Sequence, residues 1–379
     1  MLATITRPAA LVRQGHLKLY ATSITVRDLK LPGFYQINKL DPDGDGPGFQ
    51  RLLSQARANR LADYLLEGHQ EGDAFLPTSI FLATSKSIAF DAATNSITFD
   101  VAEVGPFNVV DGQHRIAGLV VAAEKNPEIL NFEMPVNIAV NLDDVSHMSH
   151  FLIVNTTQRS VEKGVEQQII ARLSSMVDLE NMPTIPRWIR RQVLKGDDAR
   201  ALFIAQFLNT DPGSAWQGKI RMANDETPDA VINQHSFVNS LKKYIFAASN
   251  PIADTTYDTN RHKILSNYWK AVVELLVDPG AEVSSVIFKT TGVNVFNIAS
   301  ATVFFQLVNA GGDFRKDAIV AVLKRGLSNL GGDFVGMSSP EWWQRGGGAS
   351  GVNNAAVQKL ANALSHALNV QTNSGSVLL

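Results

Sequence analysis

The stretch Phe107-Asn108-Val109-Val110-Asp111-Gly112-Gln113-His114-Arg115 joins a short apolar run to a glycine turn and four polar side chains. An amphipathic run, Ile116 to Ala123, follows it. This order predicts a strand, a turn at Gly112 and the start of a helix. Backbone N–H groups at a helix N-terminus have no intrahelical partner and carry partial positive charge. The segment therefore predicts a site for phosphate, a nucleotide or the DNA backbone.

The side chains of this turn offer different chemical roles. Gly112 permits a turn that other residues would crowd, and Arg115 presents a planar fork suited to phosphate or carboxylate. Asp111 and His114 are the candidate catalytic groups, the first by orienting magnesium or water and the second by assisting proton transfer. A structural alternative has Asp111 capping the helix, Arg115 paired with a carboxylate and His114 buried. The sequence leaves both interpretations open.

The composition of the whole chain limits the classes of function. Its 379 residues are 45% hydrophobic and 18% charged, which is enough apolar material for two or three compact units. The net charge of −2 gives no global basic field, so any contact with DNA requires a local patch. The absence of cysteine excludes thiol catalysis and fits a cytoplasmic location. We expect no signal peptide, and no apolar run approaches the roughly 20 residues of a membrane span.

Strand-like and helix-like patterns alternate in the first part of the chain. Strands are predicted within residues 17–40 and at 79–82, 96–101, 108–111 and 136–141, with a helix at 50–67. From Val165 onward the pattern is helix after helix: 165–173, 187–194, 235–246, 260–276, 296–307 and 355–368. We therefore predict an α/β domain with a mixed sheet over residues 1–164. A mostly α-helical domain follows over 165–379, with a Gly-rich connector near 346–351.

A second polar cluster, Asn155-Thr156-Thr157-Gln158-Arg159, follows the apolar run from Phe151 to Val154. It contains another guanidinium fork and several amide and hydroxyl groups. These side chains are candidates for holding the same phosphate as the first turn. The alternative is a solvated turn with no ligand.

Basic residues at two further places are candidate contacts. Arg57 and Arg60 are spaced i,i+3 on the predicted helix after Arg51, so they can face one ligand. The segment Arg187-Trp188-Ile189-Arg190-Arg191, together with Lys195, can follow a nucleic-acid backbone. In both places the alternative is an ordinary solvated helix face, with Trp188 in the core.

A pair of histidines has a spacing that could ligate a metal ion. His147 and His150 are spaced i,i+3, with Asp143 and Asp144 nearby. No third ligand with suitable spacing is evident in the sequence. We therefore expect these histidines to lie on a surface helix.

The quoted residues resemble the DGQHR-domain family, which includes the DndB proteins of bacterial DNA phosphorothioation systems. The pentapeptide matches fully, and Phe49-Gln50-Arg51, the helix from Arg57 to Leu66 and Phe75-Leu76-Pro77 fit the pattern upstream of it. The resemblance implies a ParB/sulfiredoxin-like N-terminal fold, in which a Gly-x-x-Arg turn at a helix N-terminus holds nucleotide phosphates. By that analogy the phosphate-binding residues are Gly112, Gln113, His114 and Arg115. Arg57 or Arg60 would then close the phosphate site.

The same resemblance implies a function. Related proteins with Asp-Gly-Gln-Gln-Arg are NTP-hydrolysing subunits of modification-dependent restriction systems. We accordingly expect a nucleotide- and DNA-binding component of a bacterial DNA modification or phage-defence system, which hydrolyses ATP or another NTP with magnesium at the turn. One alternative is a non-enzymatic DNA-binding regulator of a modification operon, and another is an assembly subunit for a DNA-modifying enzyme. The implied partners are DNA and other subunits of the modification system. Self-association is possible, and no membrane contact is expected.

Overall fold

The chain forms two compact units, Met1–Leu194 and Lys195–Leu379, in a computed structural model. The described residues are 4–15, 17–40, 48–50, 52–158, 163–176, 187–225 and 230–370. The boundary between the two units therefore follows Leu194, whereas the sequence predicted a domain boundary after residue 164. Each unit has its own buried apolar residues.

The first unit contains a curled mixed sheet with eight strands among its described residues, which confirms the predicted α/β class. The strands are β1 (Thr4–Gln14), β2 (Leu17–Thr25), β3 (Tyr35–Gln36), β4 (Ile80–Ala83), β5 (Ala89–Asp91), β6 (Ser96–Asp100), β7 (Phe107–Asp111) and β8 (Glu133–Ala139). Their order across the sheet is β3-β7-β4-β8-β2-β1-β6-β5. Parallel pairs (β3 with β7, β4 with β8) are mixed with antiparallel ones.

The helices of the first unit begin with α1 (Val26–Leu29), α2 (Gln55–Glu71), α3 (Val101–Val104) and α4 (Gln113–Lys125). They continue with α5 (Asp144–Gln158), α6 (Lys163–Met176) and α7 (Arg187–Lys195). Helices α2 and α4 pack on each other and on the apolar residues of the sheet. Gly118 permits this contact, because a Cβ there would lie 2.8 Å from the Leu61 side chain and 3.0 Å from the Ala58 carbonyl oxygen.

The second unit is mostly helical, as the sequence predicted. Its main helices are α8 (Asp197–Thr210), α9 (Gln234–Ser240), α10 (Arg261–Leu276), α11 (Thr290–Asn309), α12 (Lys316–Ser328) and α13 (Asn354–Asn369). Two short parallel strands, β9 (Ile220–Arg221) and β10 (Ile232–Asn233), precede α9. A cluster of buried aromatic rings centres on Trp216, which contacts Phe237, Trp269 and Phe288 edge to face.

Among the described residues one helix, α11, is long and apolar enough to cross a membrane by length and composition. Its apolar residues are largely buried inside the second unit, and it also buries Asn297 and Ser300. Asn297 donates to the Ser240 hydroxyl at 2.9 Å, and Tyr268 donates to the Phe296 carbonyl at 2.6 Å. These contacts are those of a core helix in a folded domain.

The Gly-rich run near 346–351 is tightly packed where it meets Trp342. A Cβ on Gly348 would lie 2.0 Å from the indole nitrogen of Trp342, and one on Gly347 would lie 2.4 Å from the Glu341 carbonyl oxygen. The adjacent Trp343 is fully buried and donates to the Met337 carbonyl at 2.9 Å. Glycine is therefore required here because the chain passes directly over an aromatic ring.

Candidate functional site

The predicted strand, turn and helix are present at the DGQHR segment. Strand β7 ends at Asp111, Gly112 has φ +106°, and α4 begins at Gln113. The amide of Ile116 donates to the Gly112 carbonyl at 3.0 Å, which closes the first turn of the helix. The N-cap residue is Gly112, so the capping role considered for Asp111 is not observed.

An irregularity in the sheet decides where the Asp111 side chain points. Leu82 of β4 pairs with Val109 of β7, but the next residue, Phe81, pairs with Asp111, so Val110 is an extra residue in β7. Such a bulge changes the face on which the following side chain lies. Asp111 therefore lies on the same face of the sheet as Phe81, away from the apolar layer that contacts α2 and α4.

Arg115 ties the first turn of α4 to the start of β4. One terminal nitrogen, Nη1, donates to the carbonyl oxygens of Thr78 at 3.0 Å and Ser79 at 2.8 Å. The other, Nη2, donates to the Asp111 carboxylate and forms an ion pair with it. The carboxylate pairing that the structural alternative assigned to Arg115 is thus observed. Three of the five guanidinium N–H groups have partners among the described residues, which leaves two for a ligand.

His114 has a defined protonation state in this geometry. The backbone N–H of Ser54 donates to His114 Nε2 at 3.0 Å, and Ser54 is the N-cap residue of α2. A backbone N–H can only donate, so Nε2 carries the lone pair and the ring is neutral, with its proton on Nδ1. The lone pair that a general base needs is therefore already used. This contact holds the ends of α2 and α4 together.

A group of buried polar residues lies between β7 and α5. Asn108 is 7% exposed, and its carbonyl oxygen accepts from Gln36 at 2.6 Å and from Asn38 at 2.9 Å. Its amide nitrogen lies 2.8 Å from Nδ1 of His147 on α5. Because an amide nitrogen only donates, His147 accepts this bond. Asn108 therefore fixes α5 over the face of the sheet that carries Phe81.

The expectation that His147 and His150 lie on a surface helix is wrong. They are 1% and 8% exposed, because α5 turns both toward the sheet. Burial lowers the pKa of His150, since desolvation disfavours the charged imidazolium. Its Nε2 atom is buried and has no hydrogen-bond partner among the described residues. No group of three or more His, Cys, Asp or Glu side chains that could hold a metal ion occurs in the described part of the chain.

A cavity of about 640 Å³ lies between α5 and this face of the sheet. Its polar lining includes Asp111, Arg115 and His150. The rest of the lining comes from the β1–β2 hairpin, β4, β8 and α5: Val12, Gln14, Leu17, Leu19, Thr78, Ser79, Phe81, Asn137, Ile153 and Val154. This volume lies in the range of pockets that hold small molecules, about 300–1,000 Å³. Six of the thirteen lining residues are apolar and seven are polar or charged, so the cavity combines apolar walls with several convergent polar groups.

A smaller cavity of about 90 Å³ lies on the other side of the turn. All five residues of the DGQHR segment line it, together with Gln50, Val110 and Phe151. Asp111 and Arg115 line both cavities, so the ion pair stands between them. Its side chains are 34% and 19% exposed, which leaves both accessible to a ligand.

Two of the remaining predicted phosphate-binding residues line neither cavity, and the side chains of the others lie outside the described structure. Arg57 and Arg60 are exposed on α2 and line neither cavity. Asn155, Thr156, Thr157 and Gln158 form the last turn of α5, and their side chains lie outside the described part of the structure. Arg159 and Arg51 lie outside the described residues altogether.

The basic segment forms the amphipathic helix α7. Ile189 and Val193 are buried, whereas Arg190 and Arg191 are exposed. Lys195 pairs with Asp197 at 2.9 Å. The side chains of Arg187 and Trp188 are outside the described structure. Among these candidates Arg190 and Arg191 therefore present their charge to solvent. This exposure agrees equally with a DNA contact and with an ordinary solvated helix face.

The fold and the site together define a class: a mixed α/β domain with a DGQHR turn beside a ligand-sized cavity. Residues 7–166 match the family DndB, described as DNA-sulfur modification-associated. The resemblance predicted from the sequence is confirmed over this range, which includes the turn and α5. That description associates the matched family with DNA sulfur modification. No curated protein and no solved structure matches the chain.

Proposed function

We propose that the first unit binds a nucleoside triphosphate with magnesium at the DGQHR turn and hydrolyses it, as one component of a DNA sulfur modification system. The observation that supports this most is the cavity of about 640 Å³ that opens beside Asp111 and Arg115. A triphosphate requires a cation and polar donors, and its nucleoside requires apolar walls. This cavity presents both polar donors and apolar side chains on one face of the sheet.

The two residues of the ion pair have complementary roles in this proposal. Arg115 directs its two remaining N–H groups to phosphate oxygens, as guanidinium groups do in phosphate sites. Asp111 uses only one oxygen for Arg115, and its other oxygen is available for magnesium or for a water molecule. A single carboxylate is sufficient, because magnesium in nucleotide sites takes most of its other ligands from phosphates and water.

His114 has a positioning role rather than a catalytic one in this proposal. Its ring lone pair accepts the Ser54 N–H, so the ring cannot take a proton from water without losing that bond. The bond keeps the start of α2 beside the turn, which preserves the shape of the phosphate end of the cavity. Proton removal from the attacking water then falls to Asp111 or to a phosphate oxygen.

Calorimetry tests binding, and a phosphate-release assay tests turnover. Wild-type protein should bind ATP in the presence of magnesium, and Arg115→Ala should weaken binding strongly. Arg27→Ala is the matched control, because Arg27 bonds to Asn131 on an exposed surface away from the cavity. If no common nucleoside triphosphate binds to wild-type protein, the proposal is wrong.

A second candidate is a non-enzymatic DNA-binding regulator. The observation that favours it is that Asp111, His114 and Arg115 each already have a structural partner. The substitution Asp111→Asn separates the two functions. In an ATPase it should abolish turnover while ATP still binds. In a DNA-phosphate site it removes a repelling charge and should tighten DNA binding. Wild-type turnover equal to that of buffer, with and without DNA, would eliminate the enzyme.

A further inference from the structure

We propose that His150 and Asn137 recognise the nucleobase and select one with an exocyclic amino group beside a ring-nitrogen acceptor, as in adenine. This inference rests on the proposed function, because it assigns two further side chains of the cavity proposed to hold the nucleotide. It concerns side chains outside the DGQHR segment. They lie on β8 and α5 and line the same cavity as Asp111 and Arg115.

The first supporting observation is the unpartnered nitrogen of His150. The residue is 8% exposed, yet its Nε2 has no hydrogen-bond partner among the described residues. A buried polar atom without a partner costs about 1–3 kcal/mol, so such atoms in native structures require an explanation. Burial also lowers the pKa of this imidazole, so the ring is neutral near pH 7 and can donate one hydrogen bond. A ligand in the cavity supplies the missing partner.

The second observation is the position of Asn137. It pairs in register with Phe81 of β4, and Phe81 pairs with Asp111 of β7. Side chains in register on neighbouring strands lie on the same face, so these three form one row across the sheet. The amide nitrogen of Asn137 donates to the Ser79 hydroxyl at 2.9 Å. Its carbonyl oxygen accepts no hydrogen bond from the described residues, so it can accept one from a ligand.

The walls near these groups suit a flat ring. Leu17 and Leu19 lie on the same side of β2 and line the cavity. Ile153 and Val154 follow His150 by about one turn of α5 and also line it. The cavity therefore places one donor, His150, and one acceptor, Asn137, among aliphatic side chains, which is complementary to a heteroaromatic ring with an acceptor next to an amino group. The same pairing of an amide oxygen with an exocyclic amino group is used by Asn and Gln to recognise adenine in DNA.

The test compares three probes with magnesium: ATP, ITP and inorganic tripolyphosphate. ITP replaces the amino group of adenine by a carbonyl oxygen and converts the neighbouring ring acceptor into a donor, with no other change. We expect ITP to bind wild-type protein roughly tenfold more weakly than ATP, which corresponds to one well-placed pair of base contacts. His150→Phe and Asn137→Leu should each bring the ATP-to-ITP ratio close to one. Neither should change the affinity for tripolyphosphate.

The control and the possible outcomes are distinct. His69→Phe is the matched control, because His69 lies on α2 and pairs with Glu128 outside the cavity. Equal wild-type affinity for ATP and ITP overturns the inference, and this measurement needs no variant to fold. A His150→Phe protein that loses tripolyphosphate as strongly as ATP also overturns it. Both outcomes leave the proposed function intact. Failure of all three probes to bind wild-type protein overturns the inference and the proposed function together.

Discussion

Asn108 on β7 donates a hydrogen bond to Nδ1 of His147 on α5 over 2.8 Å, and both side chains are buried. The bond joins the strand that ends in the DGQHR turn to the helix that forms the opposite wall of the cavity. It therefore sets the separation between Asp111 and His150, the two polar groups that we assign to opposite ends of a ligand.

Replacing Asn108 by leucine should lower the free energy of unfolding of the first unit. The change removes the donor to the buried His147 nitrogen and the acceptor for Gln36 and Asn38. Each buried group left unsatisfied costs about 1–3 kcal/mol. Thermal unfolding should show a lower midpoint. Asn59→Leu is the control, since Asn59 is exposed on α2 and bonds only to the exposed Gln55 in the described structure.

The ion pair between Asp111 and Arg115 should show energetic coupling. Arg115→Ala also removes donors to two backbone carbonyls, so it should destabilise the protein more than Asp111→Ala does. A double-mutant cycle isolates the pair, and we expect a coupling energy of about 0.5–3 kcal/mol, near the lower end because both groups are partly exposed. Additive effects of the two substitutions on chemical denaturation would show that the pair contributes nothing.

Gly112→Ala should be more destabilising than the same change at Gly72. Both glycines have positive φ, +106° and +74°, which is unfavourable for alanine by about 1–3 kcal/mol. Only at Gly112 would the new Cβ also meet a side chain, that of Ile80 at 3.2 Å; at Gly72 nothing lies within 4 Å. The difference between the two unfolding free energies therefore measures the closeness of the turn to β4. Equal losses would be incompatible with that packing.

Stability should fall as the pH is lowered below about 6.5. Burial lowers the folded-state pKa of His150 from 6.5, so the unfolded chain binds more protons in the window beneath that value. The charged groups that face His150 among the described cavity residues are Asp111 and Arg115. His262 in the second unit acts in the same direction, because burial and then Lys263 lower its pKa.

Denaturant titrations at pH 7.5, 6.5 and 5.5 measure this effect. His150→Phe should flatten the dependence of stability on pH for the first unit, and His262→Phe should do so for the second. A slope that His150→Phe leaves unchanged would mean that the ring is hydrated in the folded protein.

DNA binding, if it uses α7, should depend on Arg190 and Arg191, which are exposed. Each phosphate contact contributes about 0.9 to the slope of the logarithm of affinity against the logarithm of salt concentration. Arg190→Ala with Arg191→Ala should therefore lower that slope by nearly 2 in mobility-shift titrations. Lys30→Ala with Lys86→Ala removes the same charge from other exposed positions. An equal loss in both double variants would indicate nonspecific attraction rather than a contact through α7.

The local strand–turn–helix order at residues 107–125 was predictable, because glycine and the change of hydrophobic period mark it directly. Strand β1 was not predicted, since Arg7, Pro8 and Arg13 obscure its alternation. In the structure Arg7 forms an ion pair with Asp28 of α1, the short helix that follows β2. The charged side chains of β1 therefore hid its strand pattern in the sequence, because the contact that compensates the charge of Arg7 exists only in the folded protein.

The cavity was harder to predict than the turn. Helix α5 directs His147 and His150 inward, and polar residues on an inner face make a helix look as if it lies at the surface. Asn137 carried no signal of its own, because its position depends on which strands pair. One sign was present: Asn108 is an amide inside an apolar strand, which indicates a buried polar contact on one face.

The bulge at Val110 makes the DGQHR turn depend on how β7 pairs with β4 as well as on its own five residues. If β7 kept its length but paired with β4 without the bulge, Asp111 would pair with the buried Ile80, and its carboxylate would point toward the apolar layer beneath α4. The pentapeptide would be intact in sequence but would face the wrong side of the sheet. Chains that carry the same five letters after an unbulged strand should therefore not be assigned this site from the letters alone.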